Sequence, residues 1–113
     1  MNVITINCIG LGHWGPNLVR AFVSSQRARI GTVCDLSEAR LETVRSKISA
    51  SLSTSQDPLD TAMDPEADAV VIATPTATHY DLARAALRAG KHVLVEKPLA
   101  KSGAECEELV DLA

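Results

Sequence analysis

The chain has 113 residues, 46% of them hydrophobic, and a formal net charge of −3. This length supports one hydrophobic core and is too short for two ordinary domains, so a single domain is expected over residues 1–113. Only three residues are aromatic and no basic cluster is present, which argues against nucleic acid or an anionic membrane as the partner.

Short apolar runs alternate with amphipathic segments from the start of the chain. Residues 3–9 predict a strand, and a helix follows with Pro16 in its first turn, where the N–H that proline lacks has no intrahelical partner. Residues 29–34 predict the second strand and residues 37–50 the second helix. The serine-rich residues 51–56 predict a weak edge strand.

The alternation continues through the middle of the chain. Asp57 and Pro58 predict the cap and first turn of a short helix. Residues 68–73 then predict a nearly continuous apolar strand, as expected for a parallel strand that is covered on both faces. A polar loop, residues 74–78, follows this strand.

Two further helices and one strand are predicted in the last third of the chain. Thr78 and Asp81 have the spacing of a capping box at the start of a helix, and Gly90 predicts its end. Residues 92–95 predict the fifth strand and residues 102–113 the last helix. That helix has no stop signal before the chain ends, as expected for a fragment of a longer protein.

Strands that alternate with helices over short connections predict a parallel sheet, because parallel strands need crossover connections. The fold class expected is therefore a doubly wound α/β domain with about five strands in the order 3-2-1-4-5.

The cysteines and the start of the chain indicate a cytoplasmic protein. Cys8, Cys34 and Cys106 form no CxxC pair and have no histidine at ligand spacing, so reduced thiols and no metal site are expected. The first residues lack the pattern of a secretion signal, and no apolar run approaches the ~20 residues of a membrane span.

A glycine-rich turn follows the first predicted strand. Gly10, Gly12 and Gly15 fit the pattern G-x-G-x-x-G, and Asp35 ends the next predicted strand. In a dinucleotide site such glycines permit a tight turn, the approach of backbone N–H groups to a pyrophosphate, and close helix packing, while the acid accepts hydrogen bonds from the ribose. The alternative is a glycine turn beside a capping aspartate.

The residues after Asp35 favour NAD over NADP. A 2′-phosphate would be repelled by the carboxylate and would need an arginine nearby, and Leu36 and Ser37 supply no positive charge. Arg40, one turn into the helix, either reaches the ribose or is a solvated residue of the helix surface.

Two motifs at the ends of later strands resemble a known family. The series G-x-G-x-x-G, Asp35, T-P-x-x-x-H at residues 74–79 and E-K-P at residues 96–98 is similar to the N-terminal Rossmann domain of the Gfo/Idh/MocA oxidoreductases. The resemblance spans the whole chain in the right order, and E-K-P is its most specific part. It implies NAD(P)-dependent dehydrogenation of a sugar, inositol or nucleotide-sugar hydroxyl, in a homo-oligomeric parent with a second, substrate-binding domain.

The resemblance also assigns roles by position. Lys97 is implied as the catalytic or substrate-orienting lysine, with Pro98 restricting its backbone. The implied cofactor-binding residues are those of the pyrophosphate loop, the ribose acid, the loop after the fourth strand and the end of the fifth: Gly10, Gly12, His13, Trp14, Gly15, Asp35, Thr74, Pro75, Thr76, His79 and Glu96.

Other interpretations remain open at this point. A fragment alone should bind cofactor without turnover, and a non-catalytic NAD-sensing or scaffold module would have the same fingerprint. A methyltransferase using S-adenosylmethionine is disfavoured because it has no use for E-K-P. Asn7, a polar residue within the first strand, has no explanation in the sequence.

Overall fold

The computed structural model describes residues 3–97 and 99–113. Its strands and helices lie close to the predicted positions, and the largest shift is the end of the second helix at Lys47 instead of residue 50. The strands are β1 (Ile4–Ile9), β2 (Ala28–Cys34), β3 (Ser53–Ser55), β4 (Ala69–Ile72) and β5 (His92–Val95), and the helices are α1 (Gly15–Val23), α2 (Glu38–Lys47), α3 (Pro58–Ala62), α4 (His79–Arg88) and α5 (Gly103–Leu112).

The five strands form one parallel sheet in the order β3-β2-β1-β4-β5, which confirms the predicted topology. Each face of the sheet carries its own apolar core. Ile6 and Cys8 of β1 pack with α1 and α2 on one face, and Ile9 and Ile72 pack with α3, α4 and α5 on the other. None of the helices in the described part of the chain is long and apolar enough to cross a membrane.

Side-chain caps begin three of the helices. The Ser37 hydroxyl accepts from the Arg40 N–H, the Asp57 carboxylate from the Asp60 N–H, and the Ser102 hydroxyl from the Glu105 N–H. Such caps satisfy N–H groups that have no partner within the helix.

The capping box predicted from Thr78 and Asp81 is wrong. A 3₁₀ turn, Thr76–Thr78, precedes α4, and Thr78 makes no side-chain cap. Its hydroxyl lies 2.7 Å from the Pro75 carbonyl oxygen and 2.6 Å from the Thr74 hydroxyl, so it is used within the loop.

Asn7 is fully buried, and the structure explains why it is tolerated there. Its Nδ2 donates to the Thr61 carbonyl oxygen at 3.0 Å and to Asp64 at 3.1 Å, and its Oδ1 accepts from the Thr32 N–H at 2.8 Å. The pairing of β1 with β2 is irregular beside Asn7, between Ile6 and Cys8. The side chain therefore replaces a backbone partner at the irregularity and ties β2 to α3 through the central strand.

This arrangement requires a glycine at position 31. A Cβ at Gly31 would lie 2.5 Å from Asn7 Oδ1 and 2.9 Å from Thr5 Cγ2, so neither side chain could keep its position.

We predict that Gly31→Ala lowers the free energy of unfolding by about 1–3 kcal/mol, because the added methyl group displaces Asn7 from its hydrogen bonds. Gly103→Ala is the matched control, since an added Cβ there has no neighbour within 4 Å. Urea unfolding should show little change or a gain below about 1 kcal/mol for the control. Equal stability of the two variants would contradict the role given to Asn7.

Candidate functional site

A cleft of about 960 Å³ runs along the carboxyl ends of the parallel strands. Because all strands point the same way, the residues that follow them converge at this edge of the sheet. The lining residues come from the glycine-rich turn, the start of α2, the start of α3, the loop after β4 with the start of α4, and the end of β5: Ile9, Gly10, Gly12, His13, Trp14, Asp35, Leu36, Ser37, Arg40, Asp57, Pro58, Leu59, Ala73, Thr74, Pro75, Thr78, Asp81, Leu82 and Glu96.

The three glycines of the turn after β1 lie in different surroundings, and two of the positions have no room for a side chain. Gly10 has a φ of +99°, and a Cβ there would lie 2.6 Å from the backbone C and O atoms of Ala73. A Cβ at Gly15 would overlap the carbonyl oxygen of Gly10. At Gly12 the nearest atom to an added Cβ is Arg40 Nη1, at 4.0 Å, so this position faces the cleft.

The first turn of α1 begins beside the cleft with its N–H groups available. It carries no acidic side chain, its N-cap Trp14 makes no side-chain cap, and Pro16 follows in the first turn. His13 and Trp14 are exposed, and their rings pack edge to face at 5.4 Å. A helix N-terminus of this kind favours an anion because of its free N–H donors and the helix dipole.

Asp35 holds the glycine-rich turn against the start of α2. It is 9% exposed, Oδ2 accepts from the Leu11 N–H at 2.8 Å, and Oδ1 accepts from the Ser37 N–H at 2.8 Å. Each carboxylate oxygen can accept a second hydrogen bond. The side chain is therefore part of the local scaffold and keeps acceptor sites for further hydrogen bonds.

Arg40 lies on the cleft, and its contact with a ribose there stays a prediction. Its Nη1 is 3.9 Å from Asp35 Oδ2, and its side chain is 59% exposed. An ion pair of this length with one partner largely in solvent contributes little to stability, roughly 0–1 kcal/mol. Its placement gives the cleft one positive charge beside Asp35.

The four cofactor residues predicted in the segment after β4 fall into two groups. Thr74 and Pro75 line the cleft, whereas Thr76 and His79 do not. His79 is 1% exposed, and its Nε2 lies 2.7 Å from the Thr74 carbonyl oxygen. A role for His79 as a direct cofactor contact stays a prediction.

Glu96 and Lys97 follow β5 at the same edge. The Glu96 N–H donates to the Ile72 carbonyl oxygen at 2.8 Å, which continues the pairing of β5 with β4, and Glu96 lines the cleft half-buried. Lys97 is exposed and does not line the cleft. Pro98 lies outside the described residues.

No cysteine of the described residues lines the cleft. Burial raises the pKa of the Cys8 thiol to about 12 and that of the Cys34 thiol to about 11, so both are protonated at neutral pH. In residues 3–97 and 99–113, no group of three or more His, Cys, Asp or Glu side chains is arranged to hold a metal ion.

The start of α3 is the part of the cleft that the sequence motifs did not indicate. Asp57, Pro58 and Leu59 follow β3 and line the cleft. The sequence does contain a signal for this part of the site, because residues after any strand of a parallel sheet reach the same edge. The signal is weak because β3 has only three residues and is predicted only as a weak edge strand.

A parallel sheet in this order, with a glycine-rich turn at the first helix and an acid after the second strand, defines a dinucleotide-binding domain. The chain belongs to the Gfo/Idh/MocA family: the model of this oxidoreductase family with an NAD-binding Rossmann fold matches residues 4–113. The chain is therefore an NAD(P)-binding Rossmann domain.

Individual relatives agree with this assignment. Inositol 2-dehydrogenase 1 from Saccharopolyspora erythraea is 36% identical over 95% of this chain and 32% of its own length. A structure of biliverdin reductase from Synechocystis with biliverdin and NADP+ has a TM-score of 0.91 and 31% identity, over 97% of this chain and 34% of that one.

Scyllo-inositol dehydrogenase from Lactobacillus casei, with bound NAD(H) and scyllo-inositol, has a TM-score of 0.87 and 26% identity over 98% of this chain and 33% of that one. The chain thus spans about a third of the length of these relatives.

We predict that Gly12→Ala leaves the stability of the domain unchanged and weakens NAD binding on the order of tenfold, a loss of about 1.4 kcal/mol. The added methyl group meets no protein atom closer than 4.0 Å, but it occupies the cleft at the place where we expect N–H groups to approach the pyrophosphate.

Gly15→Ala is the contrasting variant, because its Cβ overlaps the Gly10 carbonyl oxygen and must destabilise the fold. Thermal unfolding and calorimetric titration with NAD separate the two effects. Unchanged NAD affinity in a folded Gly12→Ala variant would contradict the placement of the pyrophosphate.

Proposed function

We propose that the chain is the cofactor-binding part of a dehydrogenase that passes a hydride between NAD and a carbinol carbon of a small sugar-like molecule. The observation that carries this proposal is the convergence of the glycine-rich turn, Asp35, Thr74 and Glu96 on one cleft. The nicotinamide, when bound, supplies the chemistry by accepting or donating the hydride.

The cleft offers a separate set of groups for each part of NAD. N–H groups of the glycine-rich turn and of α1 favour the pyrophosphate, since no acidic side chain opposes them in the first turn. The remaining acceptor sites of Asp35 suit the adenosine ribose hydroxyls. Thr74, Pro75 and Glu96, at the β4 and β5 end of the cleft, are then left for the nicotinamide half.

We infer a preference for NAD over NADP from the charges at the ribose end. Asp35 and Asp57 are both acidic and line this end of the cleft, and Arg40 supplies one positive charge. A 2′-phosphate placed beside Asp35 would meet a net negative environment. The chain is similar to one structure with bound NADP+ and to one with bound NAD(H). The fold alone therefore does not select the cofactor, and the preference for NAD is inferred from the residues of this chain.

Lys97 is the residue proposed to act on the substrate. It is exposed at the edge where Glu96 reaches the cleft. An ammonium group placed there can hold the reacting hydroxyl or its developing oxyanion and can exchange the proton that leaves as the carbon is oxidised. In the oxidative direction the carbon loses a hydride to the nicotinamide and the oxygen loses this proton.

The substrate class is proposed from the named relatives. An inositol 2-dehydrogenase and a scyllo-inositol dehydrogenase both match the chain over nearly its whole length, so a sugar or polyhydroxylated ring is the substrate class that we favour. The parent is proposed to be a homo-oligomer with a second, substrate-binding domain. The second candidate function is a non-catalytic NAD-binding module, which the position of Lys97 outside the cleft favours.

We predict that Asp35→Ala weakens NAD binding about tenfold to a hundredfold, as expected for lost hydrogen bonds to a charged group, and weakens NADP binding less. Asp35 also holds Leu11 and Ser37, so loop disorder alone would lower both affinities equally. Calorimetry with the two cofactors measures the ratio, and Asp111→Ala, an exposed acid of α5, is the control.

Two results would overturn the cofactor assignment. One is a folded wild-type chain that binds neither cofactor. The other is an Asp35→Ala variant with unchanged affinity for NAD.

We predict that Lys97→Ala in the full-length parent lowers kcat about a thousandfold and leaves the Kd for NAD unchanged, because the lysine acts on the substrate hydroxyl. Lys101→Ala removes another exposed lysine four residues away and should leave kcat unchanged. Steady-state kinetics with inositols and sugars provide the measurement. Near-normal turnover of Lys97→Ala would exclude the catalytic role, and a full-length parent that binds NAD but oxidises no substrate would support the non-catalytic module.

A further inference from the structure

The backbone after β4 lies directly against the glycine-rich turn. The nearest atoms to a Cβ added at Gly10 are the backbone C and O of Ala73 at 2.6 Å and the Thr74 nitrogen at 2.8 Å. The same segment continues into the cleft, where Thr74 and Pro75 line the wall. A displacement of this backbone would therefore change both the entry to the turn and the shape of the cleft.

The peptide unit between Thr74 and Pro75 has only one hydrogen-bonding group. Proline has no N–H, so the Thr74 carbonyl oxygen is the only atom through which this peptide can be held by a hydrogen bond. His79 Nε2 lies 2.7 Å from this oxygen. Because a carbonyl oxygen only accepts, Nε2 must carry the hydrogen.

His79 lies behind the wall of the cleft and does not line it. The residue is 1% exposed at the first position of α4, which packs against the sheet. The neighbouring Thr78 supports the loop independently, since its N–H donates to the Pro75 carbonyl oxygen at 2.9 Å. His79 is thus a buried donor behind the cleft wall.

We propose that His79 is a positioning residue for cofactor binding: it acts through the Thr74 carbonyl oxygen to hold the Thr74–Pro75 peptide against Gly10. It does not touch the cofactor. This role rests on the proposed function in so far as NAD is the ligand of the cleft, whereas the effect on the loop itself does not depend on any ligand.

The test compares His79→Leu with His79→Gln. Leucine removes the donor, whereas glutamine carries an amide nitrogen at about the reach of the imidazole Nε2 and can donate to the same oxygen. Leu109→Ala is the control for a general loss of stability, because Leu109 is 2% exposed in the core beneath α4 and belongs to α5 and not to the loop. All variants are compared at a temperature at which each is folded by circular dichroism.

The first measurement is amide hydrogen exchange in the absence of cofactor. His79→Leu should exchange about tenfold faster at Ala73 and Thr78, on either side of the held peptide, and should not change at Ile48 of the distant α2 end. His79→Gln should exchange at nearly the wild-type rate. Unchanged exchange at Ala73 and Thr78 in His79→Leu, or the same change in Leu109→Ala, would overturn the proposal whether or not NAD binds.

The second measurement is the Kd for NAD by calorimetry. We expect His79→Leu to weaken binding about tenfold, His79→Gln to remain within about threefold of wild type, and Leu109→Ala to bind as wild type. Equal losses in the leucine and glutamine variants would indicate a direct requirement for imidazole and overturn the positioning role. A wild-type chain without NAD affinity would instead refute the proposed function. The hydrogen-exchange measurement would then decide alone whether His79 holds the Thr74–Pro75 peptide.

Discussion

The site depends on the close approach of two backbone segments at the carboxyl edge of the sheet. The turn after β1 and the segment after β4 meet where a Cβ at Gly10 would lie 2.6 Å from Ala73, so only glycine permits the contact. This contact brings the N-terminus of α1 to the cleft. Asp35 then fixes the other side of the turn through the Leu11 N–H at 2.8 Å. Backbone packing and one buried carboxylate thus shape the cleft before any ligand is bound.

Much of the fold followed from local pattern. A run such as residues 69–73 is apolar on both faces, which requires cover from helices on both sides and therefore a parallel sheet. The strand order follows from short connections and right-handed crossovers. The glycines and Asp35 could also be predicted, because the role of each depends on backbone geometry that a turn and a strand end impose.

Other features depend on contacts between residues far apart in the chain. The hydrogen-bond partners of Asn7 come from β2 and from residues 61 and 64, and no local sequence pattern predicts them. Thr78 has the spacing of a cap, yet its hydroxyl is used within the loop, because a 3₁₀ turn precedes α4. The motif around His79 was visible in the sequence, but whether its ring faces the cleft or the core is a matter of packing. Arg40 likewise needed the structure to be placed over Asp35.

We propose that one cleft at the carboxyl edge holds the dinucleotide, with its two halves on either side of the α1 N-terminus. The most direct measurement is the map of backbone amide chemical shifts during titration of the chain with NAD. We expect shift changes in the turn at residues 10–15, at Asp35, at Thr74 and at Glu96, and none at the amino ends of the strands. Changes confined to the amino ends, or none in a folded chain, would contradict it.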